Sequence, residues 1–410
     1  MKILYLVHQF YPMHHTGTEK FLLNLSTAIQ KWGHKVKVLS YSFYDDSFYT
    51  TDGSNILSRN FSYKGIEVIA FKYRKYPKEF GFALEDPQIS SFTEKIVSDE
   101  KPDIVHVAHT MRVGEFINTA MRLRTPYIIT MTDFWLMCPK AILYTSKNTL
   151  CMGPEKGVAC KHFCPEYDQD SIRQRLHQAE RFFRNASSVI APSRFLGSLF
   201  KNEFPFLEPK VIPYGIDFSR VKRNKRMYDG AGKFVMLFAG QIDYHKGVHV
   251  LIDAVRRMKH QNVVLKLYGS GPDAAMKNFK EMAKGDSRIE FCGVYTEDQI
   301  GDVFSGADIV VIPSNWHENN TIVMREALAS QVPCVVSNAG GMIEKIQDGV
   351  NGFIFRMGDV VHLKEVLENI ITHPELVRSM KKNLKSYSLT TVEQEAYAYE
   401  QEYEEILKKR

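Results

Sequence analysis

The sequence predicts an α/β protein with two Rossmann-like domains, each built on a doubly wound parallel sheet. Its 410 residues exceed what one compact core accommodates and suit two domains of ordinary size. Short apolar runs rich in β-branched residues alternate with helical patterns, which is typical of parallel sheets. This alternation stops at FPFLEP and then begins again. We therefore expect one sheet before residues 204–210 and a second sheet after them.

The first domain opens with a strand, a loop, a helix and a second strand. The run ILYLV at 3–7 has strand length. The apolar residues of FLLNLSTAIQKW recur at helical spacing up to Gly33, which suits a helix C-cap. The next strand is VKVLSYS, and further strands are predicted at IEVIAF, DIVHVAH, YIITMTD and SVIAPS.

The second domain repeats this alternation. Strands are predicted at KVIPYGID, KFVMLFAG, VVLKLYGSG, RIEFCGV, DIVVIPS and PCVVSNAGG. We place the domains at 1–207, which we expect to bind an acceptor, and at 208–387, which we expect to bind the phosphate-bearing ligand, and we expect a C-terminal helix at 388–410 that packs back on the first domain. Ligands of open α/β sheets bind at the carboxyl ends of the strands, so two facing sheets predict an active site in the cleft between the domains.

Composition and charge limit the classes of partner. The chain is 44% hydrophobic and 24% charged, as in globular proteins, and its net charge of +6 comes from interleaved basic and acidic residues. Since no dense basic tract or binding motif occurs, we expect no nucleic acid partner. The mild positive charge suits an anionic small ligand and peripheral contact with an anionic membrane. MKILYLVHQFYP does not read as a signal peptide, so we expect a cytoplasmic location, including the inner membrane face.

Four of the six cysteines lie close together in the sequence, at Cys138, Cys151, Cys160 and Cys164. Four thiolates are a ligand set for tetrahedral zinc. Their spacing lacks the paired CxxC knuckles that are typical of such sites. Two alternatives stay open: a structural zinc ion, or reduced thiols that hold no metal.

Glycine and lysine at strand ends of the second domain indicate a phosphate site. In FAGQIDYHKG, Gly240 ends a strand and Lys246 stands at the mouth of the next helix, where an ammonium group and helix amides would receive a diphosphate. Gly269 follows the next strand and brings bare backbone to the same edge. A solvated lysine is the alternative. The absence of GxGxxG argues against a dinucleotide-dependent dehydrogenase.

Two glutamates in ENNTIVMREALAS stand eight positions apart, Glu318 at a helix entrance and Glu326 about two turns in. Asn319, Asn320 and Thr321 are helix N-cap types that place amides beside Glu318. A buried carboxylate needs partners, and two adjacent sugar hydroxyls would satisfy one. A solvated helix face is the alternative reading.

The first domain offers fewer candidates for chemistry. His109 and Asp133 follow predicted strands, whereas His106 within a strand reads as structural. Gly17, in the loop after the first strand, permits either a turn or the close approach of a ligand.

The ordered set of motifs resembles glycosyltransferase family 4, a group of nucleotide-sugar-dependent enzymes with the GT-B fold. The resemblance rests on TGTEKFLLNLSTAIQKWGHKVKVLS, PDIVHV, APS at 191–193, VIPYGID, GQIDYHKG, the spaced glutamates and the GGxxE of 340–344. It covers nearly the whole chain. The segment DFWLMCP resembles a subset of that family.

The resemblance implies a role for each candidate. Lys246 would bind the donor diphosphate, Glu326 the ribose hydroxyls, and Glu318 would face the donor sugar. Gly17 would sit under the donor and His109 near its sugar. Glu318, His109 and Lys246 are the expected catalytic residues. Backbone amides would assist the phosphates at Thr321, Ile322 and Val323. The other donor-binding positions follow strands: Gly240, Gln241, Gly269 and Val294.

Two positions depart from the family pattern. Gln241 stands where many members have an arginine beside the diphosphate, so charge neutralisation would depend on Lys246 and helix amides. Thr132 stands where many members have a histidine, which leaves a catalytic role for that strand end unsupported. The family is retaining and usually needs no metal for catalysis, so we expect no cofactor beyond the nucleotide-sugar co-substrate.

The sequence therefore predicts a retaining hexosyltransferase that moves a sugar from a UDP- or GDP-sugar to a hydroxyl acceptor. The expected acceptor is a cell-surface glycan, a polysaccharide or a lipid-linked precursor. A nucleotide-sugar epimerase on the same scaffold and a non-catalytic sugar-nucleotide-binding protein are the alternatives.

Overall fold

The computed structural model describes residues 1–50, 55–77 and 80–410. The chain forms two compact units. One unit comprises Met1–Gly215 together with Val392–Arg410, and the other comprises Ile216–Thr391. The sequence analysis placed the boundary at 207/208, eight residues before the point where the chain leaves the first unit.

The described part of the first unit contains an eight-stranded sheet with the order β3-β4-β2-β1-β5-β6-β7-β8. Its strands are β1 (Lys2–Val7), β2 (Lys35–Tyr41), β3 (Ile56–Tyr63), β4 (Ile66–Tyr73), β5 (Ile104–Val107), β6 (Tyr127–Thr130), β7 (Ser188–Ala191) and β8 (Lys210–Val211). The strands pair in parallel, except that β3 runs antiparallel to β4 at the edge. The predicted parallel sheet thus carries one antiparallel edge strand.

Helices connect these strands. They are α1 (Gly17–Lys31), α2 (Ser90–Glu100), α3 (Gly114–Arg122), α4 (Val158–Phe163), α5 (Gln169–Asn185), α6 (Arg194–Glu203) and the C-terminal helix (Val392–Lys408), with 3₁₀ turns at Asp46–Phe48, Pro87–Ile89 and Glu155–Gly157. Strand β1 is buried from Ile3 to Val7, because helices cover both faces of a doubly wound sheet. This explains why the strand reads as a continuous apolar run and not as an alternating one.

One predicted strand lies in the other sheet. We expected KVIPYGID to open the second domain, but only Lys210–Val211 forms a strand, and it pairs in parallel with β7 of the first sheet. The pairing is short, so the residues that follow leave the sheet before Gly215. Local hydrophobic pattern predicts that a strand forms and does not identify the sheet that it joins.

The C-terminal helix packs on α1 and completes the core of the first unit. Tyr403 is fully buried, and its hydroxyl lies 2.7 Å from Nδ1 of His106 and 3.4 Å from the hydroxyl of Tyr5. His106 Nε2 lies 2.8 Å from Oγ1 of Thr130, which also bonds Tyr399. Burial lowers the pKa of His106 to about 3, so the ring is neutral and structural.

The second unit contains a parallel six-stranded sheet with the order β11-β10-β9-β12-β13-β14. Its strands are β9 (Phe234–Ala239), β10 (Val263–Tyr268), β11 (Ile289–Gly293), β12 (Ile309–Ile312), β13 (Cys334–Ser337) and β14 (Gly352–Phe355). Its helices are α7 (Val248–Arg257), α8 (Asp273–Ala283), α9 (Ile300–Ser305), α10 (Ile322–Ala329), α11 (Val360–Thr372) and α12 (Pro374–Leu384), with 3₁₀ turns at Phe218–Arg220, Glu297–Gln299 and Gly340–Glu344.

The order of the second sheet reverses between β9 and β12. Chain connections leave these two central strands in opposite directions, and such a switch point opens a crevice at the carboxyl ends of the strands. The loops that follow β9, β10, β12 and β13 all emerge at this edge. Within the described part of the chain, no helix combines the length and the apolar character that spanning a bilayer requires.

Candidate active site

Glycines let two strand-end loops of the second unit touch through their backbones. Gly269, directly after β10, has a φ of 140°, and a Cβ there would lie 1.8 Å from the carbonyl oxygen of Gly240. A Cβ on Gly271 would lie 1.9 Å from the carbonyl oxygen of Ile242. The loops after β9 and β10 are therefore held backbone to backbone. No residue with a side chain fits at either glycine without displacing the neighbouring loop.

A further glycine fixes Lys246. Gly247 is the N-cap of α7 with a φ of 71°, and its Cβ would lie 1.8 Å from the carbonyl oxygen of Pro313. The start of α7 thus rests directly on the loop after β12. Lys246, one residue earlier, is brought against the residues of that loop.

Lys246 forms an ion pair with the predicted sugar-facing carboxylate. Its Nζ lies 2.7 Å from Oε1 of Glu318, although the two residues are 72 positions apart in the sequence. The same oxygen accepts hydrogen bonds from Ser314 Oγ at 2.7 Å and from Trp316 Nε1 at 2.8 Å. Thr321 Oγ1 lies 3.3 Å from the other oxygen, Oε2. Since an ammonium group has three donors and Glu318 takes one, Lys246 can also serve an anionic ligand.

The ionisation state of Glu318 follows from these contacts. Glu318 is 5% exposed, and burial by itself would raise its pKa. The charge of Lys246 and the hydrogen bonds from Lys246, Ser314 and Trp316 outweigh burial, and the pKa of Glu318 falls below its usual value. The carboxylate is therefore ionised at neutral pH. Three strong donors saturate Oε1, so Oε2 is the oxygen with accepting capacity left.

Trp316 is a site residue that the sequence analysis missed. The Lys246 ammonium lies 4.5 Å from the centroid of its ring, while its indole N–H donates to Glu318. The ring therefore holds the cation through a cation–π contact and the anion through a hydrogen bond. Its position two residues before Glu318, in an irregular loop after a strand, was the available signal.

The loop after β13 supports Glu318 from the backbone side. Gly341 N donates to the carbonyl oxygen of Glu318 at 2.6 Å. Gly340 has a φ of 63°, and a Cβ there would lie 2.0 Å from that same oxygen and 2.6 Å from the nitrogen of Glu318. The glycine pair therefore sets how closely the loop approaches the backbone of Glu318.

Helix α10 begins directly after Glu318. Thr321 is its N-cap, and Ile322 and Val323 form the first turn, where amides have no partner within the helix. The sequence predicts N-cap residues at Asn319, Asn320 and Thr321, and in the structure Thr321 is the N-cap of α10. Thr321 Oγ1, 3.3 Å from Oε2 of Glu318, places the start of the helix close to this carboxylate.

Glu326 lies on the same helix, 5% exposed. Burial, and after it the negative charge of Glu326, raises the pKa of Tyr295, so the phenol is near this carboxylate. The remaining predicted donor residues are at the same edge of the sheet. Gln241 is exposed in the loop after β9, and Val294, one residue after β11, is 71% exposed.

In the first unit the structure joins His109 to Asp133. His109 Nε2 lies 2.7 Å from Oδ2 of Asp133, and His109 Nδ1 accepts a hydrogen bond from the backbone N–H of Met111 at 3.1 Å. The proton of the neutral ring is therefore on Nε2, directed at the carboxylate. Both nitrogens are engaged, so this arrangement orients the ring and leaves no nitrogen for use as a base.

Gly17 is the exposed first residue of α1, three positions after His14. The carboxylate of Glu19 accepts hydrogen bonds from Thr16 N at 2.7 Å and from Thr16 Oγ1 at 2.5 Å, as in a capping box. The helix therefore begins four residues before the apolar pattern predicted, at a TGTE signature that was present in the sequence.

The four clustered cysteines line one small apolar cavity of about 20 Å³. Burial, and after it the three neighbouring cysteines, raises the pKa of Cys160 to about 12, which favours the neutral thiol. Within residues 1–50, 55–77 and 80–410, no three His, Cys, Asp or Glu side chains form a group that could hold a metal ion. In this arrangement the sulfurs of Cys138, Cys151, Cys160 and Cys164 do not form a zinc site. Whether these cysteines bind structural zinc therefore stays a prediction.

Two doubly wound parallel-sheet units are the architecture of the GT-B fold, which solved glycosyltransferase structures share with this chain. The chain belongs to glycosyltransferase family 4. The model of that family matches residues 15–220, and the model described as glycosyl transferases group 1 matches residues 223–387. The predicted family and fold class are thereby confirmed.

Curated relatives are glycosyltransferases of several kinds. Lipopolysaccharide 1,2-N-acetylglucosaminetransferase of Salmonella typhimurium is 28% identical over 186 residues, 41% of this chain and 49% of the relative. Glycogen synthase of Mycobacterium tuberculosis is 26% identical over 397 residues, 91% of this chain and 87% of the relative. The Bacillus subtilis protein YtcC, a putative glycosyltransferase by its name, matches over 58% of its length. The chain thus spans about half the length of the Salmonella and Bacillus relatives.

Solved structures share the fold across the whole chain. Anabaena HepE in complex with UDP and glucose superimposes with a TM-score of 0.71 at 18% identity, covering 98% of each chain. Sucrose-phosphate synthase from Thermosynechococcus elongatus gives a TM-score of 0.73 at 17% identity, covering 100% of each chain. Likeness at such identities establishes the fold and not the substrate.

The contact between Gly340 and Glu318 can be tested with two alanine substitutions. Gly340→Ala and Gly349→Ala both place a side chain at a positive φ, but the Gly349 Cβ would meet nothing within 4 Å. We expect Gly349→Ala to lower the free energy of unfolding by about 1 kcal/mol. Gly340→Ala also forces the loop away from Glu318, so we expect a total loss of about 2–4 kcal/mol. Urea unfolding measures both, and equal losses would refute the close approach.

Proposed function

We propose that the protein is a retaining glycosyltransferase. It transfers a hexosyl group from a UDP- or GDP-sugar to a hydroxyl of a growing cell-surface glycan, a polysaccharide or a lipid-linked precursor. The observation that carries the proposal is the ion pair of the partly buried Lys246 with the buried Glu318, close to the start of α10. Family membership supports it, and so do the ligands bound in two structural neighbours: UDP and glucose in HepE, and ADP and acarbose in Arabidopsis starch synthase IV.

The donor diphosphate would bind between Lys246 and the first turn of α10. An ammonium group and the positive end of a helix both favour phosphate oxygens. Gln241 brings no charge, so these groups would neutralise the leaving diphosphate, and catalysis would require no metal ion. Glu326, two turns further along α10, would accept hydrogen bonds from the ribose hydroxyls.

Glu318 would act on the reacting sugar. Its Oε2 has the accepting capacity to take a sugar hydroxyl, while Lys246, Ser314 and Trp316 hold Oε1 in place. As the diphosphate leaves, positive charge develops at the anomeric carbon. A fixed carboxylate nearby stabilises that charge more than it stabilises the neutral ground state. The ring of donors keeps the carboxylate oriented before the reaction begins.

Donor turnover tests the proposed function directly. A thermal-shift screen first identifies the nucleotide sugar that stabilises the protein, because a ligand that binds the folded state raises its stability. Incubation with that donor is expected to release free sugar and nucleoside diphosphate slowly in the absence of an acceptor. An isomerised donor would instead identify an epimerase. Tight binding without any turnover would identify a non-catalytic binding protein.

Lys246→Ala is expected to weaken the binding of nucleoside diphosphate and of the intact donor alike, because the charge it contacts is present in both. The loss of a charge-assisted contact costs about 1.5–3 kcal/mol, or roughly ten- to a hundredfold in affinity. Calorimetric titration with UDP and GDP measures the change. Lys277→Ala, which removes an exposed lysine on α8, is the matched control. Unchanged affinity in Lys246→Ala would exclude this lysine from the donor site.

The two glutamates are expected to differ in kinetics. Glu318→Gln keeps the shape and removes the charge, so kcat for donor hydrolysis should fall by a factor of roughly ten to a thousand with a smaller change in KM. Glu326→Ala should raise KM for the donor more than it lowers kcat, because ribose hydroxyls do not change during transfer. Glu365→Gln on the exposed face of α11 serves as the control. If Glu318→Gln alters only KM, the residue is a second anchor and not part of the reacting centre.

A further inference from the structure

The first unit contains a group of basic side chains that the proposed donor site does not use. We call it the histidine–arginine cluster, and it comprises His8, His14, His15 and Arg112. His8 follows β1, Arg112 lies between β5 and α3, and the other two precede α1. These segments meet at the carboxyl ends of the strands, the edge where α/β sheets bind ligands.

Arg112 is the permanent charge of the cluster. Its guanidinium carbon lies 5.5 Å from the ring centroid of Tyr41 and 5.0 Å from that of Phe43, and its Nε donates to the Tyr76 hydroxyl at 3.3 Å. Among the described residues, no carboxylate pairs with it. The aromatic contacts thus hold the side chain in place while leaving the two NH₂ groups of its fork for a ligand.

In the segments that carry the cluster, three polar atoms are buried without a hydrogen-bond partner among the described residues. They are Nδ1 of His8, Nε2 of His14 and Oγ1 of Thr110. Thr110 is 3% exposed and the His8 side chain 13%. Buried polar atoms in folded proteins nearly always have a partner, so atoms from three segments that lack one indicate a ligand with several acceptor oxygens.

Two acids lie near the cluster, and one oxygen of Glu19 has no hydrogen-bond partner within the described part of the chain. Glu19 is fully buried and bonds Thr16, with its second oxygen 3.5 Å from Nε2 of His8. Asp133 bonds His109, whose ring lies 3.9 Å from that of His8. Burial, followed by His109, Arg112 and His14, lowers the pKa of His8. Burial also lowers the pKa of His14, with Glu19 opposing and Arg112 and His15 adding to the effect. A bound anion would offset the repulsion that these neighbouring basic groups exert on a protonated histidine.

The geometry points to an acceptor-binding site for an anionic sugar, that is, a sugar that bears a carboxylate or a phosphate group. Arg112 would hold the anion through its fork, Thr110 would donate its hydroxyl, and His8 and His14 would donate ring N–H groups. Phe43 and Tyr76, each 43% exposed, provide apolar faces for the sugar ring. The inference rests on the proposed function, in which the donor anion is assigned to Lys246 of the second unit.

Titration with small anionic sugars tests this site on the full-length chain. The probes are glucuronate, which carries a carboxylate, glucose 1-phosphate, and neutral glucose as the matched control. Histidine Cε1 resonances, assigned with His8→Gln and His14→Gln, report binding at the cluster. At least one anionic sugar is expected to shift both resonances and raise both pKa values, whereas glucose at the same concentration leaves them unchanged. The responding sugar distinguishes a carboxylate from a phosphate ligand.

Variants at position 112 distinguish an effect of the Arg112 charge on binding from an effect on folding. Arg112→Gln is expected to weaken binding of the anionic sugar about tenfold or more, and Arg112→Lys should retain part of the affinity. Arg124→Gln is the control, because Arg124 is exposed and has a similar positive φ, 54° against 64° for Arg112. Wild-type affinity in Arg112→Gln, or no response to either anionic sugar, would overturn the inference.

A separate titration with UDP distinguishes this inference from the proposed function. If UDP moves the His8 and His14 resonances and the anionic sugars do not, the cluster belongs to the donor site and the inference fails. If the wild type neither binds nor turns over any nucleotide sugar while the anionic sugars still bind at Arg112, the proposed function fails and the anion site stands. Binding of both in turn, with Arg112→Gln impaired only for the anionic sugar, supports both proposals.

Discussion

The ion pair between the partly buried Lys246 and the buried Glu318 is the interaction around which the strand ends of the second unit are organised. Removing two charges from water is costly, and their mutual attraction compensates only when further hydrogen bonds satisfy the carboxylate. Ser314, Trp316 and Thr321 supply those contacts. A pair built in this way is weak evidence for stability, but it fixes a charged carboxylate in one orientation beside the start of a helix.

The fold could be predicted because most of its strands can be recognised in the sequence. Strands such as β1 and β9 are buried on both faces, so the sequence shows them as uninterrupted apolar runs. The comparisons confirm the family and the two-sheet architecture. Lys210–Val211 was assigned to the wrong sheet, because strand partners far apart in sequence leave no trace in local pattern. The antiparallel strand β3 was missed for a different reason: it is an edge strand that is only partly buried, so its sequence shows no apolar run.

The candidate site was predictable only in part. Lys246 and Glu318 each follow a strand, and this topological rule places both at one edge of the sheet. Their direct contact, however, joins residues 72 positions apart through a loop without periodicity. Trp316 and Ser314 lie in that loop, which Gly247 and Gly340 approach closely from segments distant in sequence. The cysteines differ from the Lys246–Glu318 pair in this respect. They are close in sequence and meet around one cavity, but as placed they do not form a metal-binding group.

The two units treat their cations differently. In the second unit Lys246 is paired with Glu318, so its positive charge is partly neutralised by the protein itself. In the first unit Arg112 is held by aromatic rings, which restrain it without cancelling its charge. A cation that is positioned but uncompensated retains more of its attraction for an outside anion.

The place of the C-terminal helix in the first unit has a consequence for synthesis of the protein on the ribosome. Residues 1–215 emerge first, yet the face of α1 and the ring of His106 are covered by residues 392–408. Residues 216–391, which form the second unit, must be translated before residues 392–408 can pack on the first unit. At roughly 5–20 residues per second, this delay is on the order of ten seconds or more. During that interval the nascent first unit exposes apolar surface that a chaperone or a neighbouring nascent chain can bind.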